Sequence, residues 1–363
     1  MDGTRMVSSF SNLSTPNNRR EFVGKIYVFR PDTSSTKLTL LLLLVAIAIV
    51  AFGGNVLILL FLKTKERAHS FIKTCSFQRN FNFYIKSLAI SDILASVIPI
   101  PFLGIQLYLD IFQKGWACKI GRYAIILFPC VTVNNLLVIS FEKFFSARQV
   151  PRTFSNSTLK KVVMFAWLAG FVVAMIPAAT FDGIRYDLNN THYTVICRYD
   201  NQYLPFRIMF VCFTFLQYII PSCILIAISI SLIMAVWTRT RISVDVTMDN
   251  GISSMARAAR IRCVYVVIAL TFAFVIPYFF YIAYVIYNMA VKPKISFETD
   301  QVIRTGSTIM VFSNGAINVM IHLVKLKDFR TFLKKKFVFK FFTRSRSNRV
   351  GVVGVEMPSQ EKS

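Results

Sequence analysis

Seven long apolar segments dominate this sequence and limit the folds that it can adopt. A helix needs about 20 apolar residues to cross the hydrocarbon core of a bilayer, where every backbone polar group must be satisfied internally. None of the seven shows the alternation of about ten residues that marks the strands of a membrane barrel. The sequence therefore predicts an all-α membrane protein, a bundle of seven transmembrane helices. The segments lie at about 38–62, 84–108, 122–146, 160–182, 206–236, 262–289 and 303–324.

The basic residues predict how this bundle is oriented. The chain has a net charge of +25, and most of that excess falls on one side: in the loops 63–86, 142–161 and 238–262 and in the tail 325–363. Lys and Arg are retained on the cytoplasmic face of a membrane. We therefore expect a multi-pass protein of the plasma membrane, with its N-terminus outside and its C-terminus inside. The basic and aromatic tail favours contact with anionic membrane lipids, and nucleic acid is not an expected partner.

Four regions follow from this reading. Residues 1–36 form a polar extracellular tail, and residues 37–325 form the seven-helix domain. Residues 326–337 are predicted to be a short amphipathic helix along the membrane, and residues 338–363 a basic cytoplasmic tail. Since no signal-peptide core precedes the first span, that span is expected to act as an uncleaved anchor.

A lone carboxylate, Asp92, lies inside the second apolar segment, in "SLAISDILASVIPIP". A charge at this depth costs about 2.5–3.5 kcal/mol, so it needs polar partners. Asn55, Thr132, Asn314 and Asn318 are candidates on other spans, and the last two share a helix face because they are four residues apart. Two interpretations remain open. The polar groups either only hold the bundle together or form a small hydrated pocket that binds a cation such as sodium.

Two cysteines, Cys118 and Cys197, fall on the predicted outer side, where disulfides persist. A bridge between them would hold the loop that contains Cys197 over the mouth of the bundle. In that loop, "THYTVICRYD" alternates β-branched or aromatic residues with polar ones, which predicts a β-hairpin.

The order of several short motifs resembles that of rhodopsin-like G-protein-coupled receptors over about residues 38–335. The resemblance implies a receptor that binds an extracellular ligand and activates a heterotrimeric G protein, with no enzymatic activity and no cofactor other than a sodium ion. The motifs are "GGNVL" with Asn55, "SLAISD" with Asp92, "GWACK" with Cys118, "AWLAGFVVAMIP" with Trp167 and Pro177, the prolines Pro221 and Pro277, and "NGAIN" followed by "KDFRTF".

Two motifs depart from the family pattern and indicate a divergent member. Glu142-Lys143-Phe144 stands where the family has Asp-Arg-Tyr, and lysine lacks the planar fork of arginine. With Arg257 and Arg260 at the base of the sixth span, these three residues are the expected G-protein coupling surface. At the end of the seventh span, "NVMIH" replaces Asn-Pro-x-x-Tyr, so that valine and histidine stand in place of the proline and the tyrosine.

The resemblance also narrows the ligand. Ile125 occupies the position at which amine receptors of the family carry an aspartate, and residues 303–324 contain no lysine for a retinal Schiff base. Charges at the predicted rim favour a peptide, as in the peptide receptors of the family. A lipid or small apolar ligand is the second candidate. The predicted pocket residues are Gln106, Ile125, Tyr278, Phe279, Thr308 and Phe312.

Other function classes have less support. A transporter or channel could use Asp92 as an ion site, and the altered motifs also fit a receptor-like partner that does not signal. An enzyme is not expected, because the chain shows no Gly-rich phosphate loop, no metal-spaced His and Cys group and no nucleophile with a base among its three histidines.

The predicted topology can be tested through glycosylation. Of the three sequons, Asn12 and Asn189 lie on the predicted outer side and should carry glycans, whereas Asn156 lies inside and should not. Each asparagine is replaced by glutamine in turn, and the gel mobility of the protein from cells is compared before and after enzymatic deglycosylation. A glycan on Asn156 would contradict the orientation.

Overall fold

The structure is a computed structural model that describes residues 24–69, 76–112, 115–146, 154–199, 203–242, 251–291 and 295–336. Within these ranges, seven helical segments are long and apolar enough to cross a membrane, which confirms the predicted all-α, seven-helix fold. The sequon at Asn12 and the predicted tail 338–363 lie outside the described residues. The first to seventh spans are Ser34–Arg67, Gln78–Tyr108, Gly115–Ser146, Asn156–Ala179, Leu204–Thr238, Ile261–Asn288 and Phe297–Lys325.

Several helices extend past these limits, and two spans are interrupted. Ser155 and Ser296 cap the fourth and seventh spans, since each side chain accepts a hydrogen bond from the backbone N–H three residues later, at 3.2 Å. The helices are Ser34–His69, Ser76–Val97, Pro99–Tyr108, Gly115–Ser146, Asn156–Ala179, Leu204–Thr214, Ile220–Ile242, Gly251–Val291 and Phe297–Lys325.

Both interruptions occur at prolines. In the second span, one helix ends at Val97 and the next begins at Pro99, a position where the missing N–H and fixed φ of proline are tolerated. In the fifth span, a π-helical turn at Phe215–Ile219 precedes Pro221. Because Pro221 has no N–H for the carbonyl four residues earlier, the extra residue in the turn accommodates the lost bond. Pro129, Pro177 and Pro277 lie inside continuous helices.

A three-stranded sheet covers one end of the bundle, called here the hairpin end. The strands are β1 (Ile26–Tyr27), β2 (Phe181–Asp187) and β3 (His192–Tyr199), in the order β1-β3-β2. The antiparallel pair β2 and β3 is the hairpin that the sequence predicted. At its turn, the Asn189 side chain accepts hydrogen bonds from the backbone N–H groups of Thr191 (2.9 Å) and His192 (2.7 Å), a stabilising Asx turn.

Residues 24–33, called here the strap, cross the hairpin end before the first span begins, which the sequence did not indicate. β1 pairs in parallel with β3, Lys25 forms an ion pair with Asp187 at 2.7 Å, and the Tyr27 hydroxyl donates to Asp110. The Lys37 ammonium then donates to the carbonyl oxygen of Arg30 at 2.9 Å. These contacts place Arg30 over the mouth of the bundle.

A further helix follows the seventh span at residues 327–336. Phe329 is buried, and its ring centroid lies 5.3 Å from that of Phe61 on the first span. Phe332 also contacts Phe61, at 5.6 Å. This aromatic contact anchors the helix to the end of the bundle opposite the hairpin, and its orientation along a membrane remains a prediction.

Close packing between the third and fourth spans depends on Gly170. A Cβ atom there would lie 2.6 Å from Val131 Cγ2 and 3.0 Å from the Val131 backbone nitrogen. Gly170→Ala should therefore destabilise the protein by about 1–3 kcal/mol, because backbone cannot move aside cheaply. Gly53→Ala is the matched control, since nothing lies within 4 Å of its Cβ position.

The measurement is the thermal unfolding midpoint of each purified variant in detergent. The midpoint of Gly170→Ala should fall below that of the wild type, and that of Gly53→Ala should stay equal or rise slightly with the better helix propensity of alanine. Equal midpoints for the two variants would show that the two spans do not pack as described.

Candidate functional site

Hydrogen bonds around Asp92 join the first, second and seventh spans inside the bundle. Asp92 is 5% exposed, and its Oδ2 accepts a hydrogen bond from Asn318 Nδ2 at 2.9 Å. Asn55 Nδ2 donates to the carbonyl oxygens of Ala51 (2.8 Å) and of Gly315 (3.2 Å). Asn318 therefore bonds to the carboxylate directly, and Asn55 joins the first span to the seventh at Gly315, whose Cβ position lies 3.3 Å from Asp92. Such interhelical bonds link polar groups in an apolar bundle.

A small cavity adjoins the Asp92 carboxylate. Its volume of about 20 Å³ is enough for about one water molecule, and Thr132 and Asn314 line it together with Asp92. Thr132 Oγ1 lies 3.4 Å from Ser91 Oγ. In the part of the chain that the structure describes, the side-chain oxygens of Asn314 and Asn318 are buried and accept no hydrogen bond.

This set of atoms fits a small hard cation. Hard cations take carboxylate, amide and hydroxyl oxygens as ligands, and the cavity offers a carboxylate with neutral oxygens. Among the described residues, no group of three His, Cys, Asp or Glu side chains could hold a metal. Any cation here would depend on Asp92 for its charge compensation and on Thr132 and Asn314 for neutral ligands.

The altered motif at the end of the seventh span packs tightly. Val319 is buried against the first span, where a Cβ atom on Gly54 would lie 2.5 Å from both of its methyl carbons. His322 is also buried, and its Nδ1–H donates to the carbonyl oxygen of Asn318 at 2.7 Å. The same asparagine thus contacts Asp92 through its side chain and His322 through its backbone.

At the opposite end of the bundle, the predicted coupling residues are largely buried. Glu142 and Lys143 are fully buried. Asn80 on the second span donates to Glu142 Oε1 at 2.8 Å and to the carbonyl oxygen of Phe154 at 3.0 Å. Lys143 Nζ lies 5.7 Å from the centre of the Phe81 ring, a cation–π contact. Asn80 thereby joins the second and third spans to the segment that precedes the fourth.

Phe144, the third residue of the altered triplet, faces the fifth and sixth spans. Phe144 packs against the apolar cluster of Ile228, Leu232, Val264 and Ile268. Arg257 and Arg260 belong to the helix Gly251–Val291, but their side chains fall outside the description.

A cavity lies at the hairpin end, beneath β3. The Cys118–Cys197 disulfide is present, with a Cα–Cα distance of 5.4 Å, and it ties β3 to the start of the third span. Arg122 Nη2 donates to the Cys197 carbonyl oxygen at 3.0 Å, which fixes the strand further. Of the predicted pocket residues, Gln106 and Thr308 line this cavity.

The other predicted pocket residues lie elsewhere. Ile125 and Phe312 belong to an apolar cluster next to the cavity, and Phe312 also lines the Asp92 cavity. Tyr278 is buried and lines the Asp92 cavity as well. The prediction for Phe279 needs correction, since its side chain is 65% exposed on the outer surface of the sixth span. Consecutive helical residues point about 100° apart, so Tyr278 and Phe279 cannot share the inner face.

Two cavity residues were missed from the sequence. Arg198 interrupts the apolar pattern of β3, a signal that could have indicated it. Arg30 gave no such signal in the sequence, because it reaches the cavity only through the path of the strap across the hairpin end.

The chain was compared with known proteins. The family described as "7 transmembrane receptor (rhodopsin family)" matches residues 54–321. Human "Probable G-protein coupled receptor 19" is 24% identical over 349 residues, with 88% of this chain and 77% of that protein covered. "5-hydroxytryptamine receptor 4" of Cavia porcellus is 28% identical over 149 residues, covering 40% of this chain and 36% of that protein. The crystal structure of squid rhodopsin has the same fold, with a TM-score of 0.65 at 17% identity and coverage of 90% and 94%.

Proposed function

The chain belongs to the rhodopsin family of seven-transmembrane receptors, and from this we propose that it is a plasma-membrane receptor that binds an extracellular peptide and activates a heterotrimeric G protein. The observation that carries the proposal is the arrangement of three sites along one bundle. A cavity lies under the disulfide-held hairpin, and the Asp92 network joins three spans in the middle. The opposite end of the bundle is closed, with Glu142 and Lys143 buried and Glu142 bonded to Asn80.

The hairpin end faces outside in this proposal. The disulfide between Cys118 and Cys197 supports this, because disulfides persist in the extracellular compartment. The helix 327–336 and the basic tail after it then lie at the cytoplasmic face, where Lys and Arg are retained.

A peptide is the ligand class that the mouth of the bundle fits best. The hairpin and the strap offer extended backbone to a ligand, and each contributes a charged side chain to the cavity, Arg198 from β3 and Arg30 from the strap. The likeness to a 5-hydroxytryptamine receptor does not favour an amine, because Ile125 is buried in an apolar cluster and cannot pair with an ammonium group. Retinal is equally disfavoured, since residues 303–324 contain no lysine.

Activation then requires the closed end to open. The ligand must bind the open form better than the closed form, since only differential affinity shifts a population. Asn80 restrains the closed form through its bonds to Glu142 and to the Phe154 carbonyl. Lys143 is fully buried on the Phe81 side, so it reaches a G protein only after the third and second spans separate at this end.

Nucleotide exchange tests this proposal. The full chain, purified into lipid nanodiscs, is incubated with each class of heterotrimeric G protein, with and without a peptide library, and guanine-nucleotide exchange is measured. Asn80→Ala should raise the ligand-independent exchange rate by about tenfold, because a hydrogen bond to a charged group contributes about 1.5–3 kcal/mol and this one is specific to the closed form.

Asn134→Ala is the matched control, since Asn134 Nδ2 bonds to the Ala166 carbonyl of the fourth span at 3.2 Å, away from the closed end. Its exchange rate should equal that of the wild type. If neither the wild type nor Asn80→Ala promotes exchange on any G protein, the signalling function is refuted. The alternative of a receptor-like partner that does not signal would then stand. If only apolar small molecules activate the chain, they replace peptides as the proposed ligand class.

We propose further that sodium binds at Asp92, with Thr132 and Asn314 as neutral ligands. Replacing choline chloride by sodium chloride at constant ionic strength should raise the unfolding midpoint of the purified protein by about 2–4 °C, the effect of about 1 kcal/mol of ligand stabilisation. Asp92→Asn should abolish this rise, whereas Asp182→Asn, an exposed carboxylate on β2, should leave it unchanged. The same rise in Asp92→Asn would show that sodium acts elsewhere.

A further inference from the structure

The cavity at the hairpin end is lined by four arginines. Arg30 comes from the strap, Arg122 from the third span, Arg198 from β3 and Arg304 from the seventh span. Among the described residues that line the cavity, none is acidic. Four distant segments of the chain thus contribute one guanidinium each to the same small space.

Neighbouring carboxylates compensate this charge only in part. Asp300 accepts two hydrogen bonds from Arg304 Nη2, at 2.7 and 2.9 Å, and Asp32 lies near Arg30. Burial lowers the pKa of the Arg30 guanidinium and raises the pKa of the Asp32 carboxyl, the nearby opposite charge working against each shift. Asp32 and Asp300 therefore stand beside four guanidinium groups, and Lys37 and Glu298, both near Asp32, add one charge of each sign.

Donor groups in the cavity also lack acceptors. Within the described part of the chain, Arg30 Nη1 and Arg198 Nε are buried atoms that donate no hydrogen bond. A buried donor without a partner costs about 1–3 kcal/mol, and more when it is charged. Arg122 is different, because its hydrogen bond to Cys197 and its position over the Phe181 ring, 5.1 Å away, give it a structural role.

We propose that this arginine cavity binds a carboxylate of the ligand, and that the peptide of the proposed function, on which this inference rests, enters with a free C-terminus or an acidic side chain. The guanidinium fork matches a carboxylate with two parallel N–H···O bonds. The cavity volume of about 20 Å³ holds about one water molecule, which is less than a carboxylate needs. The arginine side chains therefore move apart as the carboxylate enters, and the rest of the peptide stays towards the hairpin. The neutral polar lining of the same space comes from Gln106, Gln301, Thr305 and Thr308.

A bound carboxylate would also connect separate segments of the chain at the hairpin end. A carboxylate held by Arg30 and Arg198 would link the strap to β3, and Arg304, which lines the same cavity, would link both to the seventh span. Arg304 is bound to Asp300 on its own helix, so the ligand carboxylate competes with Asp300 for the same guanidinium. Binding thereby changes the contacts of the seventh span at its outer end.

The test uses chemical probes on the purified full chain in detergent. N-acetylglycine supplies a carboxylate, N-acetylglycinamide is its neutral counterpart, and glutarate represents an acidic side chain with a second charge. N-acetylglycine should raise the unfolding midpoint by about 2–4 °C at a concentration near ten times its dissociation constant, and the amide should not. A stronger effect of N-acetylglycine than of glutarate assigns a free C-terminus, and the reverse assigns an acidic side chain.

Arg30→Gln and Arg198→Gln identify the site, since each removes a guanidinium with one buried nitrogen that donates no hydrogen bond in the described part of the chain. Each should weaken the apparent affinity for N-acetylglycine by about tenfold, the effect of losing one charge-assisted hydrogen bond. Arg207→Gln is the matched control, because Arg207 does not line the cavity, and its affinity should equal that of the wild type.

The inference is overturned if the amide stabilises as well as the acid, if the wild type gains nothing from either carboxylate, or if both variants bind N-acetylglycine with wild-type affinity. These outcomes are separate from the exchange assay. A chain that promotes exchange but ignores carboxylates keeps the proposed function and loses this inference. A chain that binds the carboxylate without ever promoting exchange loses the proposed function and keeps the arginine site.

Discussion

The hydrogen bond between Asn318 and Asp92 is the interaction on which the middle of the bundle depends. An ionised carboxylate among apolar helices is costly unless hydrogen bonds stabilise it, and the Asn318 amide supplies one at 2.9 Å. The backbone of Asn318 accepts from His322, and the neighbouring Gly315 carbonyl accepts from Asn55. A substitution of Asn318 would therefore disturb contacts of the first, second and seventh spans together.

The two altered motifs change the kinds of contact between the spans, while the places of those contacts in the bundle stay the same. Val319 has a backbone N–H that proline would lack, and the seventh helix runs unbroken from Phe297 to Lys325. Lys143 places a point charge near the Phe81 ring, where arginine would offer a planar fork of five donors. The neighbouring Glu142 adds a restraint at that end, because it accepts a hydrogen bond from Asn80.

Sequence reasoning succeeded where local chemistry decides the structure. Apolar length predicted the spans, and alternation in "THYTVICRYD" predicted β3. It failed where distant segments meet. The parallel pairing of β1 with β3, and hence the place of Arg30, depends on the path of the strap and has no periodic signal. Phe279 was misplaced because an aromatic run does not show which side of a helix faces inward.

The seventh span connects the two candidate ligand sites mechanically. Arg304 and His322 are 18 residues apart, which is about five helical turns and a rise of about 27 Å, so both lie on the same face of the helix. Thr308, Asn314 and Asn318 lie between them, and the first of these lines the arginine cavity while the other two adjoin Asp92. Because Val319 leaves the helix unbroken, a displacement at Arg304 is carried along its axis without being absorbed at a kink. An anion bound at the mouth, as proposed, would therefore act on the Asp92 network through a rigid element, and valine in place of proline would strengthen the coupling between the sites.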